Sequence, residues 1–246
     1  MRGALTRVFF RSFLIQAAWT FEGLQSIGFT YGIAPLLERI YPDSRERTEA
    51  IREYLKFFNS HPYMSTAILG ATAALEQAQQ QENTGTTEQL RDAVSGPLAA
   101  LGDALFWTGL KPLFSVIAVI ASYLGYMASP LIFLVFFNSF HMWIRIVGFI
   151  QGLRHDFGLV RFIHALKLPE LTRFIKQLTT ILLGVFSAGF LFFLPNFSTL
   201  TIPPLFRILA ICPFFGVYLL IKRGVPVLVQ IYVYSAAVLI FFFLWG

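Results

Sequence analysis

From residue 104 to residue 150 the chain reads ALFWTGLKPLFSVIAVIASYLGYMASPLIFLVFFNSFHMWIRIVGFI, and its only Asp, Glu, Lys or Arg side chains are Lys111 and Arg145. A bilayer's hydrocarbon core is about 30 Å thick, which a helix of roughly 20 residues crosses. The stretch therefore suits two passes, 104–126 and 130–150, parted by the uncharged residues 127–129. Three further apolar runs, 178–195, 204–221 and 227–245, reach or nearly reach the same length. The expected fold is all-α, a polytopic integral membrane protein. About five transmembrane helices would occupy residues 104–246. A region of amphipathic and re-entrant helices would occupy residues 1–103.

Composition excludes a soluble chain. Of 246 residues, 56% are apolar and 13% charged, against roughly 45–50% and about 25% in globular proteins. A soluble fold would expose large apolar patches with such a balance. Disordered, collagenous, disulfide-scaffold and secreted-enzyme classes are excluded too. Cys212 is the single cysteine, so no internal disulfide forms.

The net charge of +6 reflects topology. Every acidic residue lies at or before Glu170. Beyond it come Arg173, Lys176, Arg207, Lys222 and Arg223, and all but Arg207 border apolar runs. The positive-inside rule places the loop 151–177 and the turn 222–226 in the cytoplasm. The uncharged loops 127–129 and 196–203 face outward. These assignments alternate and give a cytoplasmic N-terminus and an external C-terminus. Lys111 can snorkel to the inner surface. No basic cluster alternates with aromatics in a polar segment, so nucleic acid is not an expected partner.

The N-terminal region is more polar. Val8 to Leu37 is apolar but broken by Arg11, Gln16, Glu22 and Gln25, and Glu22 would not face lipid. Interfacial, re-entrant and partner-bound helices all suit it. No cleavable signal peptide is expected, because this first run contains charges. Asp43 and Glu46 have capping-box spacing, and Ile51, Tyr54, Leu55 and Phe58 follow at amphipathic intervals. Pro62 suits the first turn of another helix, running to about Gln81.

No catalytic or metal signature is present. His61, His141, His155 and His164 lack metal-ligand spacing, and neither a phosphate-binding loop nor a nucleophile elbow occurs. No cofactor is expected.

Polar constellations remain. Gln16, Trp19, Glu22 and Gln25 lie three apart and would share a broad helix face. Amides, a carboxylate and an indole can ring a sugar, binding its hydroxyls and covering its C–H surface. Alternatively Glu22 pairs with an arginine such as Arg11 and the rest packs a helix interface. Phe57-Phe58-Asn59-Ser60-His61-Pro62 offers ligand contact or ordinary helix capping. Gly96 to Trp107 contains Gly96 and Gly102, which permit close approach, and Asp103, placed to cap the first span. Asn138, His141 and Arg145 share one helical face, for interhelical hydrogen bonds or for an ion or substrate path.

At these residues the sequence resembles the IID subunit of the mannose-fructose-sorbose family of bacterial phosphotransferase-system permeases. The resemblance rests on Arg11-Ser12 with Gln16, Trp19 and Glu22, on Phe57 to Pro62, on the block 96–107, and on Asn138, His141 and Arg145. Thr20, Phe21, Gly23, Leu24 and Thr108 stand where the family usually has Asn, Tyr, Arg, Met and Gly, which bears on sugar specificity.

The resemblance implies a non-catalytic inner-membrane subunit that pairs with a IIC subunit to move a hexose-type sugar. A separate IIB protein, recharged by IIA, phosphorylates that sugar. A higher-order oligomer is expected, and Gln16, Trp19, Glu22 and Asn59 are expected near the substrate because they combine hydroxyl-binding groups with an aromatic platform. His61, Gly96, Gly102, Asp103, Asn138, His141 and Arg145 would be structural motif residues. The alternative is a membrane scaffold or receptor that lost transport and regulates a phosphorelay. A self-sufficient secondary transporter is disfavoured, since no inverted repeat is visible.

Overall fold

The computed structural model describes residues 1–79, 87–155, 163, 166–193 and 212–245. In chain order its helices are α1 (Arg2–Arg11), a 3₁₀ turn (Ser12–Leu14), α2 (Ser26–Ile40), α3 (Ser44–Tyr54), α4 (Ser65–Gln79) and α5 (Thr87–Gly102). A π-helical segment (Asp103–Leu110) leads into α6 (Lys111–Tyr123), followed by α7 (Ser129–His155), α8 (Leu168–Phe193), α9 (Cys212–Lys222) and α10 (Val227–Trp245). No β-strand occurs among the described residues, only isolated bridges joining Leu24 to Thr20 and to Phe58. The all-α expectation holds. The chain divides into two units, Met1–Leu183 and Gly184–Gly246.

Local chemistry sets several boundaries. The Asp43 carboxylate accepts from the backbone N–H groups of Arg45 at 2.8 Å and Glu46 at 3.1 Å, satisfying donors that the first turn of α3 would leave unpaired. Those N–H groups, Glu46 first, hold its carboxyl below the usual carboxylate range. At the end of α6, Gly125 adopts φ +94°. The Gly125 N–H donates to Ser122 and the Tyr126 N–H to Ala121, both at 3.0 Å, so a glycine in the left-handed region closes the helix.

Among the described residues two helices are long and apolar enough to cross a membrane, Thr87–Tyr123 and Ser129–Arg154. The first starts well before the expected 104, because α5, the π-helical segment and α6 run without a break. Asp103 accordingly does not cap a helix start. The residue before it, Gly102, is itself helical at φ −65°, ψ −46°, and no side-chain cap forms there. The division expected at 103/104 lies inside this continuous helix. Of the expected spans 178–195 and 204–221, residues 194–195 and 204–211 lie outside the described residues, as does the loop 196–203.

The core of the first unit lies where α2, α4, α5 and α7 meet, around Phe29, Leu36, Ile68, Leu69, Leu98 and Phe106, all fully buried. Glycines bring α4 and α7 together. A Cβ on Gly152 would overlap the Ala67 carbonyl oxygen and lie 2.7 Å from the Ala71 nitrogen, while one on Gly70 would overlap the Phe149 carbonyl. One turn back, a Cβ on Gly148 would sit 3.2 Å from the Ala67 Cβ. Small residues four apart are the usual device for close helix contact in a bilayer, where packing replaces the hydrophobic drive.

A buried carboxylate ties the N-terminal helices to this core. Glu76 on α4 accepts from the Tyr41 hydroxyl at 2.9 Å and from the Tyr54 hydroxyl. Burial, reinforced by this carboxylate, raises the Tyr54 hydroxyl far above its ordinary range, so both phenols remain donors.

In the second unit, α9 and α10 are joined by the turn Lys222–Pro226. Gly224 has φ +76°, and the Val225 N–H donates to Leu220 at 3.0 Å. This again is a glycine-closed helix end.

Candidate functional site

Residues 15–25 do not form the expected helix. Thr20 and Leu24 exchange backbone hydrogen bonds at 3.0 and 3.3 Å, the Gly23 N–H donates to Thr20 Oγ1 at 2.9 Å, and Leu24 sits at φ +49°. Gln16, Trp19, Glu22 and Gln25 therefore share no helical face. The reason is tertiary, since residues 23–25 pair with residues 58–60. The Phe58 N–H donates to Gly23 at 3.2 Å and the Gln25 N–H to Phe58 at 2.9 Å. The buried Gln25 amide then grips Ser60 from both sides, donating to its carbonyl at 2.8 Å and accepting from its N–H at 3.2 Å. Breaking such a buried pair leaves unsatisfied groups at about 1–3 kcal/mol each. Gln25 is thus the clasp of the site.

The clasp holds the half-buried Asn59 beside the loop that displays Gln16, Trp19 and Glu22, all three exposed. Phe21, at the tip of this loop, is fully exposed. Arg11 does not pair with Glu22: its guanidinium lies 4.5 Å from the Tyr31 ring centroid and donates to the Tyr31 carbonyl at 3.3 Å. Among the described residues Glu22 forms no ion pair. Its carboxylate remains available to a ligand or partner.

A second cluster adjoins the clasp through His61. Tyr63 donates its N–H to His61 Nδ1 at 3.3 Å, and the His61 carbonyl accepts from Met64 at 3.0 Å and Ser65 at 2.9 Å, so the histidine caps α4. Its ring stacks on Phe106 at 5.0 Å and 12° and meets Tyr63 edge-on at 5.0 Å. Gly102 makes room for it, because a Cβ there would overlap His61 Cβ and Cγ. Gly96 differs, with nothing within 4 Å of such a Cβ, so close approach does not explain it.

The stripe on α7 completes the cluster. Tyr63 stacks on His141 at 4.4 Å and 16°. His141 Nε2 lies 2.9 Å from Asn138 Oδ1, and Asn138 Nδ2 donates to the Leu134 carbonyl at 2.6 Å. Arg145 is buried, and among the described residues no carboxylate pairs with it. Its guanidinium lies 5.1 Å from the centre of the Tyr63 ring and 4.7 Å from that of Phe13, and it donates to the Ser12 carbonyl at 3.3 Å. Aromatic faces and a carbonyl thus offset part of its lost hydration. His61 Nε2, His141 Nδ1 and Arg145 Nε have no hydrogen-bond partner among the described residues.

The structure therefore gathers His61, Gly102, Asn138, His141 and Arg145 from distant sequence blocks, together with Ser12, while Gln16, Trp19 and Glu22 are exposed on the 15–25 loop. Asp103 is exposed on the helix that carries Gly102. Tyr63, on which His141 and Arg145 converge, was not singled out from the sequence. Its only signal is its place directly after Asn-Ser-His-Pro. No group of His, Cys, Asp and Glu among the described residues is placed to hold a metal.

The profile of the mannose/fructose/sorbose family IID component of the PTS system matches residues 2–245. The chain belongs to this family. Among curated IID components, the mannose-specific EIID component of Escherichia coli K12 is 34% identical over 158 residues, 63% of this chain and 56% of that protein. The chain thus spans little more than half of that relative. The sorbose-specific EIID component of Klebsiella pneumoniae is 29% identical over 205 residues, 82% of this chain and 72% of its own length. The fructose permease IID component of Bacillus subtilis is 26% identical over 200 residues, covering 80% of this chain and 70% of that one. A chain of the cryo-EM structure of the mannose transporter ManYZ with microcin E492 superposes with a TM-score of 0.61 at 26% identity, covering 96% of this chain and 95% of that one.

Proposed function

We propose that this chain is the non-catalytic IID subunit of an inner-membrane sugar permease. It pairs with a IIC subunit to carry a hexose-type sugar, which a IIB protein recharged by IIA then phosphorylates. The reading is supported by the family match and by the exposure of Gln16, Trp19 and Glu22 on the clasped edge, the loop that the Gln25–Ser60 hydrogen bonds tie to the Asn59 segment. That loop offers hydroxyl-binding groups, an indole face and a carboxylate that forms no ion pair among the described residues. Exposed Trp19 and Phe21 beside it need cover, which a IIC partner and the sugar provide. Buried Arg145 and the unpaired ring nitrogens of His61 and His141 back this edge as a rigid support.

The test of assembly is co-purification. A tagged chain is expected to bring a IIC subunit out of the native membrane in constant ratio, and to lose stability when expressed without it. A thermally stable monomer in detergent, indifferent to IIC, contradicts the proposal.

About five spans, with the N-terminus inside and the C-terminus outside, complete it. A reporter fused after Gly224 is expected to read cytoplasmic, and one fused after Gly246 external. The reverse pair overturns this topology.

A further inference from the structure

Away from the clasped edge, α8 and the junction of α5 with the π-helical segment enclose an open groove of about 810 Å³. Its lining divides by chemistry. Arg173, Lys176 and Gln177 come from one stretch of α8, while Leu101, Ala104 and Ile181 supply apolar walls. Arg173 and Lys176 are exposed, and among the described residues neither forms an ion pair. Glu170 lies in the adjoining cavity, where Lys167 accompanies it.

The groove thus sets the two cations of α8 beside apolar side chains from both of its walls. Along α8, Arg173 to Ile181 spans about 12 Å at 1.5 Å per residue, more than the roughly 5–8 Å depth of one headgroup layer, so the acyl chain of a lipid held at Arg173 reaches the level of Ile181. The apolar runs that begin at 104 and 178 both start on the cytoplasmic side in the proposed topology. That places Arg173 and Lys176 at the inner headgroup layer, where basic residues attract anionic lipid.

We propose that this groove binds one anionic phospholipid, its phosphate on Arg173 and Lys176 and a chain along Leu101, Ala104 and Ile181. The site rests on the proposed membrane topology, which the reporter fusions check independently. A binding site for a free anion would not need the apolar walls. A protein partner would be expected to leave lipid selectivity unchanged when the cations are removed.

The test uses the complex as purified, stripped of lipid in neutral detergent and titrated with phosphatidylglycerol in mixed micelles, reading the shift of the thermal unfolding midpoint. Phosphatidylglycerol is expected to raise the midpoint saturably. Phosphatidylcholine and inorganic phosphate at equal concentration should give little shift. In R173Q/K176Q the apparent affinity for phosphatidylglycerol should fall about tenfold or more, since each basic residue near an anionic surface contributes several-fold. R173K/K176R should keep it. If the double variant does not fold, R173Q and K176Q alone should each weaken binding several-fold. Equal shifts with both lipids, an equal shift with free phosphate, or an unchanged response in the neutral variants would overturn the proposal. Loss of IIC from R173Q/K176Q, with lipid selectivity intact, would assign the groove to the partner instead.

Discussion

Gly152→Leu is expected to abolish the folded protein. The new side chain would enter space held by the Ala67 carbonyl and the Ala71 nitrogen, and backbone atoms of a packed helix cannot swing aside as a flexible side chain can. α4 and α7 would have to separate, taking with them Ile68, Leu69 and the Tyr63–His141 stack. A loss above about 4 kcal/mol is expected of such overpacking, a large part of the roughly 5–15 kcal/mol that typically holds a fold together. Detergent-extracted yield and the thermal midpoint read the result. Gly96→Ala is the control, because its Cβ would meet nothing within 4 Å and a helical alanine is favoured over glycine by about 1 kcal/mol. A wild-type yield of Gly152→Leu would mean that α4 and α7 do not pack as described.

Glu22→Gln is expected to lower sugar uptake on the order of tenfold to a hundredfold while the complex assembles normally. The change keeps the shape and removes the charge. A hydrogen bond to a charged group is worth about 1.5–3 kcal/mol, and each 1.4 kcal/mol is about tenfold in affinity. Because Glu22 is exposed and Arg11 is engaged with Tyr31, the variant should leave the fold of this chain unaltered. Reduced complex yield with unchanged sugar affinity would make Glu22 an assembly residue rather than a sugar ligand.

Features governed by neighbours in the chain were legible in the sequence. Asp43 caps α3 because the N–H groups that donate to it lie two and three residues on, and the glycine turn at 222–226 follows from local conformational freedom. The apolar runs announced the membrane and the all-α class, since lipid leaves backbone groups few other solutions. The blocks that meet around His61 were visible as separate motifs, among them the one that carries Gly102, where a Cβ would overlap the His61 side chain.

What the sequence hid depends on contacts between distant segments. Residues 15–25 follow a helical spacing of polar groups, yet Gln25 pairs with Ser60 and Leu24 bridges to Phe58, and those bonds unwind the segment. Nothing near Asp103 in sequence shows that the helix begins at Thr87 and runs through it. Gly70, Gly148 and Gly152 matter only because α4 crosses α7 there. Tyr63 gains its role from His141 and Arg145, which lie on another helix.

Sugar uptake in a strain lacking this gene tests the central claim most directly. With the IIC, IIB and IIA proteins present, the wild-type chain is expected to restore uptake and accumulation of phosphorylated sugar, and Glu22→Gln to restore only a small fraction. If the wild-type chain assembles with IIC in that strain and uptake stays at the deletion level, the protein is a membrane scaffold and the account of the clasped edge as a sugar site is wrong.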